Sequence, residues 1–390
     1  MTKTLTAPRF TSIDLLRGIV MVIMALDHVR DYFHADAFLF SPTDLSETSV
    51  PLFFTRWITH YCAPVFVFLA GTSAWMIHQR KSTKQTSLFL LKRGLWLVAV
   101  EFFIVSFGWM FNPAYPLFGL QVIWAIGMSM VVLAALVHLP VRWITLIGAV
   151  LVFGHNALDG LTFDGAWWWG MLHTRGAVEI GDHTILFAYP LIPWIGTMAL
   201  GYGFGQFYAK GYTPEVRKRM LTRLGLAAIM LFVALRLINA YGDPGPWSVQ
   251  SSGAFTLLSF LNVQKYPPSM LYLLMTLGPA ILFLAWAEKL KGWSVSALIV
   301  IGRVPFFYYI LHIYLIHLLA MVAAELTGFG WHSMVTDVPV WRAEALQGYG
   351  FSLPVVYLVW ASVVAALYLP CVWFNKLKSN NRQWWWLSYL

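Results

Sequence analysis

Apolar runs of nearly membrane-spanning length follow one another along this chain, separated by polar, glycine- and proline-containing breaks. A helix needs about 20 mostly apolar residues to cross the hydrocarbon core. Such runs lie at 14–33, 53–77, 91–111, 118–138, 142–156, 186–208, 223–241, 269–287, 295–323 and 353–375. The fifth is short, and 254–262 is a further weak run suited to the interface. The pattern predicts an all-α fold, a polytopic membrane bundle of about ten transmembrane helices, in a single domain over 1–390. The first run contains Asp14 and Arg17 and lacks a small-residue cleavage site, so it is expected to remain as the first helix rather than be removed as a signal peptide.

Charge between the runs orients them. With the N-terminus inside, the first tail, the loops near 78–93, 139–142, 209–223 and 288–303, and the last tail hold, together with Arg17, 20 of the 26 Lys and Arg residues. The opposite loops hold only Arg175, Lys265 and Arg342, while Arg30, Arg56 and Arg236 sit in the outer halves of helices. That asymmetry predicts cytoplasmic N and C termini. The loops expected outside, 34–52, 157–185, 242–268 and 324–352, are long enough to build a site or lid. Most of the 20 tryptophans suit interfacial belts.

Composition agrees: 59% of the 390 residues are hydrophobic and 11% charged, against about 25% charged in a soluble domain. The net charge of +9 is explained by the basic loops, and no nucleic-acid module surrounds Arg217-Lys218-Arg219. Two cysteines, Cys62 and Cys371, cannot build a disulfide framework, no zinc-type Cys/His spacing occurs, and no metal is expected. Gly201-Tyr202-Gly203-Phe204-Gly205 lacks the strand-then-helix context of a phosphate loop and reads as close helix packing.

The most informative polar positions interrupt the first run: Asp14, Arg17, Asp27, His28, Arg30 and Asp31, with His34 just beyond. Charges at membrane depth cost several kcal/mol and normally face a partner or a polar cavity. Arg17 and His28 are eleven residues apart, three helical turns plus about 20°, so they share a face about 16 Å apart along the axis. Asp14, Asp27, Asp31 and His34 fall within about 100° of that face, and Arg30 lies further round. A purely structural ladder, Asp14–Arg17 and Asp27–Arg30 at i,i+3, accounts for the charges but not for His28. Elsewhere, Arg56 and His60 stand i,i+4 before Pro64, and Glu101 and Arg236 are intramembrane charges that could partner the first helix. In the ninth run Arg303 and Tyr314 repeat the eleven-residue spacing, Tyr308 and His312 share a face, and His312 points about 180° from Arg303. Taken singly, each of these histidines reads more readily as a packing residue than as a catalyst.

The run Ser12-Ile13-Asp14-Leu15-Leu16-Arg17-Gly18 into Asp27-His28 resembles the opening helix of membrane acyltransferases related to the heparan-α-glucosaminide N-acetyltransferase catalytic domain. Arg followed by ten residues and His is also the signature of the acyltransferase-3 class. Thr59-His60-Tyr61-Cys62-Ala63-Pro64, Pro193-Trp194-Ile195-Gly196, Gly302-Arg303-Val304-Pro305-Phe306 with His312, and the ending Trp386-Leu387-Ser388-Tyr389-Leu390 extend the likeness to the bacterial branch. The resemblance implies transfer of an acyl group, typically acetyl, from cytoplasmic acyl-CoA to a hydroxyl or amine of a glycan on the outer face of a bacterial inner membrane. It carries the Arg-x10-His motif onto Arg17 and His28. The animal branch implicates a histidine just beyond this helix, to which His34 is nearest by position, and has none matching His28. Heparan is absent from bacteria, so the acceptor does not follow from the name.

The expected site is therefore His28, Asp27, Asp31 and His34 for chemistry, with Arg17, Asp14, Arg30, His60, Arg303, Tyr308 and His312 for binding. Acetyl-CoA or another acyl-CoA is the expected co-substrate. Membrane lipid and a glycan-type acceptor are the expected partners, with homo-oligomerisation left open. The alternatives are a proton-coupled transporter using the same Asp/His/Arg chain as a relay, and a non-catalytic membrane scaffold.

Overall fold

Residues 10–381 and 383–388 are described by a computed structural model. Residues 1–9, Tyr389 and Leu390 lie outside them, and with them both ends of the chain. The helices are α1 (Thr11–Phe33), α2 (Val50–Ile58), α3 (Cys62–His78), α4 (Thr83–Val100), α5 (Ser106–Met110), α6 (Val122–Leu136), α7 (Val141–Gly154), α8 (Trp167–Leu172), α9 (Leu191–Phe204), α10 (Pro214–Ile238), α11 (Gly253–Leu261), α12 (Met270–Ala287), α13 (Trp293–Arg303), α14 (Pro305–Leu326) and α15 (Leu353–Asn380). Local chemistry sets their starts. Ser82 and Gln85 form a reciprocal capping box on α4, Thr213 caps α10 ahead of Pro214, and the Ser269 hydroxyl accepts the Tyr272 amide on α12.

Every apolar run becomes largely helical, with two departures from expectation. The fold is not all-α: β1 (Leu117–Leu120), β2 (Gly176–Ile180) and β3 (His183–Phe187) form a sheet in the order β1-β3-β2, β1 parallel and β2 antiparallel to β3. The run 118–138 therefore opens as a strand, and its helix starts only at Val122. The run 295–323 is two helices. Val304, at φ −131° and ψ 47°, leaves the α region because the ring of Pro305 crowds the residue before it, and Pro305 then opens α14. The weak run 254–262 becomes α11, nine residues long and too short to cross.

Among the described residues, six helical segments are long and apolar enough to span a membrane: Val50–His78, Val141–Leu158, Pro214–Ile238, Met270–Ala287, Pro305–Leu326 and Leu353–Asn380. α1 has the length, at 23 residues, but carries five charged residues, Asp14, Arg17, Asp27, Arg30 and Asp31. Leu95, Val150, Met230, Leu358 and Leu369 form exposed apolar faces on α4, α7, α10 and α15, the surface expected of a protein solvated by lipid.

α1 is the centre of the bundle, packed on α3, α12, α13, α14 and α15, while α9 lies between α3 and α7, and α10 pairs with α12. Its contact with α13 is backbone on backbone. A Cβ at Gly302 would stand 1.8 Å from the Asp14 carbonyl oxygen, and one at Gly18 would stand 1.9 Å from that of Leu298. The Gly201 stretch packs in the same way within α9, where a Cβ would lie 2.0 Å from the Phe68 carbonyl oxygen. Gly302→Ala should therefore force α1 and α13 apart. Overpacking costs about 1–3 kcal/mol, so the thermal unfolding midpoint in detergent should fall by several degrees; an unchanged midpoint would show that the helices are not in this contact.

Candidate active site

The end of the bundle where loops 34–52, 157–185, 242–268 and 324–352 gather encloses a cavity of about 750 Å³. α1 delivers four consecutive-turn polar residues to its wall: Asp27, His28, Arg30 and Asp31. α2 and the turn after it add Arg56 and His60, and the start of α3 adds Cys62. Trp109, Gln121, Arg175, Tyr189, Lys265, Tyr266, Trp341 and Arg342 come from elements far apart in sequence.

Asp27 organises the cationic side. Arg56 bonds to both of its carboxylate oxygens, Arg30 Nη1 approaches to 2.9 Å and Lys265 Nζ to 3.8 Å. Arg30 also pairs with Asp31 at 2.5 Å. Both i,i+3 ladder contacts exist, Asp27–Arg30 here and Asp14–Arg17 at 4.0 Å, so these charges also brace the helix.

His28 stands apart from that ladder. Its Nδ1 lies 4.0 Å from Asp31 Oδ2, an ion-pair distance rather than a hydrogen bond, and neither ring nitrogen has a hydrogen-bond partner. The ring meets Trp109 edge-on at 4.7 Å and His312 at 5.1 Å, and the indole N–H of Trp109 is likewise buried without a partner. His312 is fully buried, and its Nδ1 donates to the Tyr309 carbonyl at 2.6 Å. A carbonyl only accepts, so Nδ1 carries the hydrogen and the unpartnered Nε2 is a free acceptor. Tyr308 stacks on His312 at 5.5 Å with its hydroxyl unpartnered, although neither residue lines the cavity. His60 does line it, edge-on to Tyr272 at 5.4 Å, while the Tyr272 hydroxyl donates to the His60 carbonyl.

The remaining expected residues lie elsewhere. Arg17 donates to the Leu69 carbonyl at 3.2 Å and to the Ser73 hydroxyl, and Arg303 Nε stands 3.6 Å from Asp14. Arg17, Asp14 and Arg303 form a second polar group lower on α1, outside the cavity wall. Because the helix breaks at Val304, a single wheel does not relate Arg303 to His312 or Tyr314. His34 follows α1 off the cavity wall, where its segment pairs with Phe351 through Ala35 N–H to the Phe351 carbonyl at 3.1 Å. Burial pushes its imidazole below the usual histidine range, against the pull of Asp36.

Glu101 and Arg236, open as partners of α1, are both used otherwise. Glu101 accepts from the Gln121 and Trp124 amides and so caps α6. Arg236 donates to the carbonyls of Phe260, Gly245, Ser259 and Asn262 and pins loop 242–268.

Sequence reasoning missed Lys265, Tyr266 and Trp109. Tyr266 sits between the Arg175 guanidinium and Lys265, each 5.1 Å from its ring centre, and 3.5 Å from the Tyr189 hydroxyl. Burial alone would raise its phenol, but Lys265 and Arg56 outweigh it and bring it down to about 8. A hydroxyl that titrates there can exchange a proton near neutral pH. One signal was available: Arg175, Lys265 and Arg342, the three basic residues in the otherwise cation-poor loops, all line the cavity.

The arrangement offers an unpartnered imidazole flanked by a carboxylate, a phenol of lowered pKa and several cations around one enclosed space. It suits proton transfer on a polar or anionic substrate. No curated protein matches the chain. The family model described as "Heparan-alpha-glucosaminide N-acetyltransferase, catalytic" matches residues 9–237, from before α1 to the end of α10. With more than half its length matched, the chain belongs to the heparan-alpha-glucosaminide N-acetyltransferase catalytic family.

Proposed function

We propose that this chain moves an acyl group, acetyl by the family's name, from cytoplasmic acyl-CoA to a hydroxyl or amino group of an envelope glycan or similar acceptor on the periplasmic side of a bacterial inner membrane. In this reading about ten helices cross the bilayer, both termini and the basic loops lie in the cytoplasm, and the cavity opens on the outer face. The observation that carries it is His28: it lies within the family-matched stretch, on the wall of the large polar cavity, with both ring nitrogens unpartnered.

His28, steadied by Asp31, takes the proton of the acceptor as its oxygen or nitrogen attacks the thioester carbonyl. The carbon–sulfur bond then breaks, and CoA leaves as the thiol, taking up the proton that His28 received from the acceptor. The Trp109 indole N–H beside His28 is the candidate donor to the tetrahedral oxyanion. Arg17, a partly exposed guanidinium about 16 Å down the helix axis, would hold CoA phosphates from the other side. His34 is off the cavity wall, which favours direct transfer over an acyl-His34 intermediate.

Purified protein incubated with radiolabelled acetyl-CoA is expected to bind it and to release CoA when a suitable acceptor is supplied. Absence of acetyl-CoA binding at millimolar ligand, together with no CoA release, would overturn the reading.

A further inference from the structure

A second group of titratable side chains lies away from the cavity wall, where α7 gives way to loop 157–185. His155 and Asp159 flank the 3-10 turn His155–Leu158 that follows α7, and His173 arrives from the end of α8. One ligand atom from each lies within 4.8 Å of the others, and His173 Nε2 stands 3.0 Å from Asp159 Oδ1. His155 and His173 are 2% and 0% exposed, with ring centres 5.7 Å apart.

A plain His173–Asp159 hydrogen bond explains two of the three residues. It leaves His155 buried with neither ring nitrogen partnered, and His173 Nδ1 unpartnered as well. Unpaired imidazole nitrogens in a buried site are costly, and a pair of them beside a carboxylate is the donor set of a borderline metal ion. We propose that His155, Asp159 and His173 bind one divalent transition-metal ion, zinc by its donor set, at a site separate from the cavity.

The supporting contacts fit that role. Asn156 Nδ2 donates to Asp159 Oδ2 at 2.8 Å, leaving Asp159 Oδ1 turned towards His173, and the Asn156 side-chain Oδ1 accepts from the Met270 amide at the start of α12. A group holding the free oxygen of a ligating carboxylate is the usual outer support of a metal site. Nitrogen and oxygen ligands lie about 2.0–2.1 Å from zinc, which spaces tetrahedral ligands roughly 3.4 Å apart. The His173–Asp159 pair is already near that spacing, and side-chain shifts of about an ångström bring His155 in. Asp159 is the partly exposed member, so the fourth position faces the side open to water. The ion would tie loop 157–185 to the end of α7, two residues before Arg175 enters the cavity wall.

The test uses the full chain in detergent, with any affinity tag removed. After stripping with chelator and dialysis against buffered zinc, elemental analysis should find one zinc per chain. His155→Ala should hold less than a tenth of that. Cobalt(II) titration of the wild-type protein should give visible ligand-field absorption that zinc displaces, and Asp159→Asn should weaken cobalt at least tenfold. The inference is overturned if the wild-type protein retains no stoichiometric zinc or shows no such absorption. Equal retention by wild type and the folded variants overturns it too. These readouts are independent of acyl transfer.

Discussion

His28→Ala should lower acyl transfer by about 10²–10⁴-fold, the range over which a positioned general base contributes, while the protein remains folded and still binds acyl-CoA. The structure explains why fold and activity separate here. His28 makes no hydrogen bond within the protein, and Asp31, 4.0 Å away, keeps its pair with Arg30, so removal of the imidazole strands no hydrogen-bond partner. Its contacts with Trp109 and His312 are ring packing, and alanine forfeits only that. The measurement is CoA release under saturating donor, with acetyl-CoA binding and the unfolding midpoint followed on the same sample. Wild-type turnover in His28→Ala would remove the residue from the chemistry. Retained binding with lost turnover is the signature of an interaction made only in the transition state.

Asp27→Asn should have the opposite character, a large effect on the fold first. Its carboxylate is shared by Arg56, Arg30 and Lys265, all on one enclosed wall. Removing one partner of a buried ion pair costs about 3–5 kcal/mol, because the remaining charge is left uncompensated. The expected result is a sharply lowered unfolding midpoint and poor recovery of folded protein. Adding Lys265→Gln to Asp27→Asn should restore part of the loss, since the pair 3.8 Å apart is then neutralised together. If Asp27→Asn leaves the midpoint unchanged, the three cations do not depend on this carboxylate.

Much of the architecture was legible because apolar run length measures helix length in a membrane. The break before Pro305 had its cue in the proline itself, but the apolar residues on both sides concealed it. The sheet was illegible for different reasons. Leu117–Leu120 merges without a boundary into the apolar start of α6, and β2 and β3 lie in a polar loop whose pairing depends on β1, more than fifty residues earlier. On α1, helical spacing placed Asp27, His28 and Asp31 on or near one polar side, and they line the cavity; Arg30, which spacing put further round, lines it as well. Which distant residues complete the wall is a matter of tertiary packing, which no local period encodes. Lys265 and Tyr266 reach the wall because Arg236, far off in sequence from α1, pins loop 242–268. The histidines of the α7–α8 region escaped because their spacing crosses the end of a helix and a loop.

The central position of α1 bears on how the chain is made. α1 is synthesised before the elements that bury it, yet it carries charges that hydrocarbon does not accept alone. Arg56 is synthesised soon after Asp27, but Lys265, the Arg303 that approaches Asp14, and the α12–α15 surfaces around α1 come only in the last third of the chain. Until then the first helix must wait in a polar or chaperoned setting, and a chain cut after α10 would keep the whole family-matched stretch while leaving that helix without its burial partners.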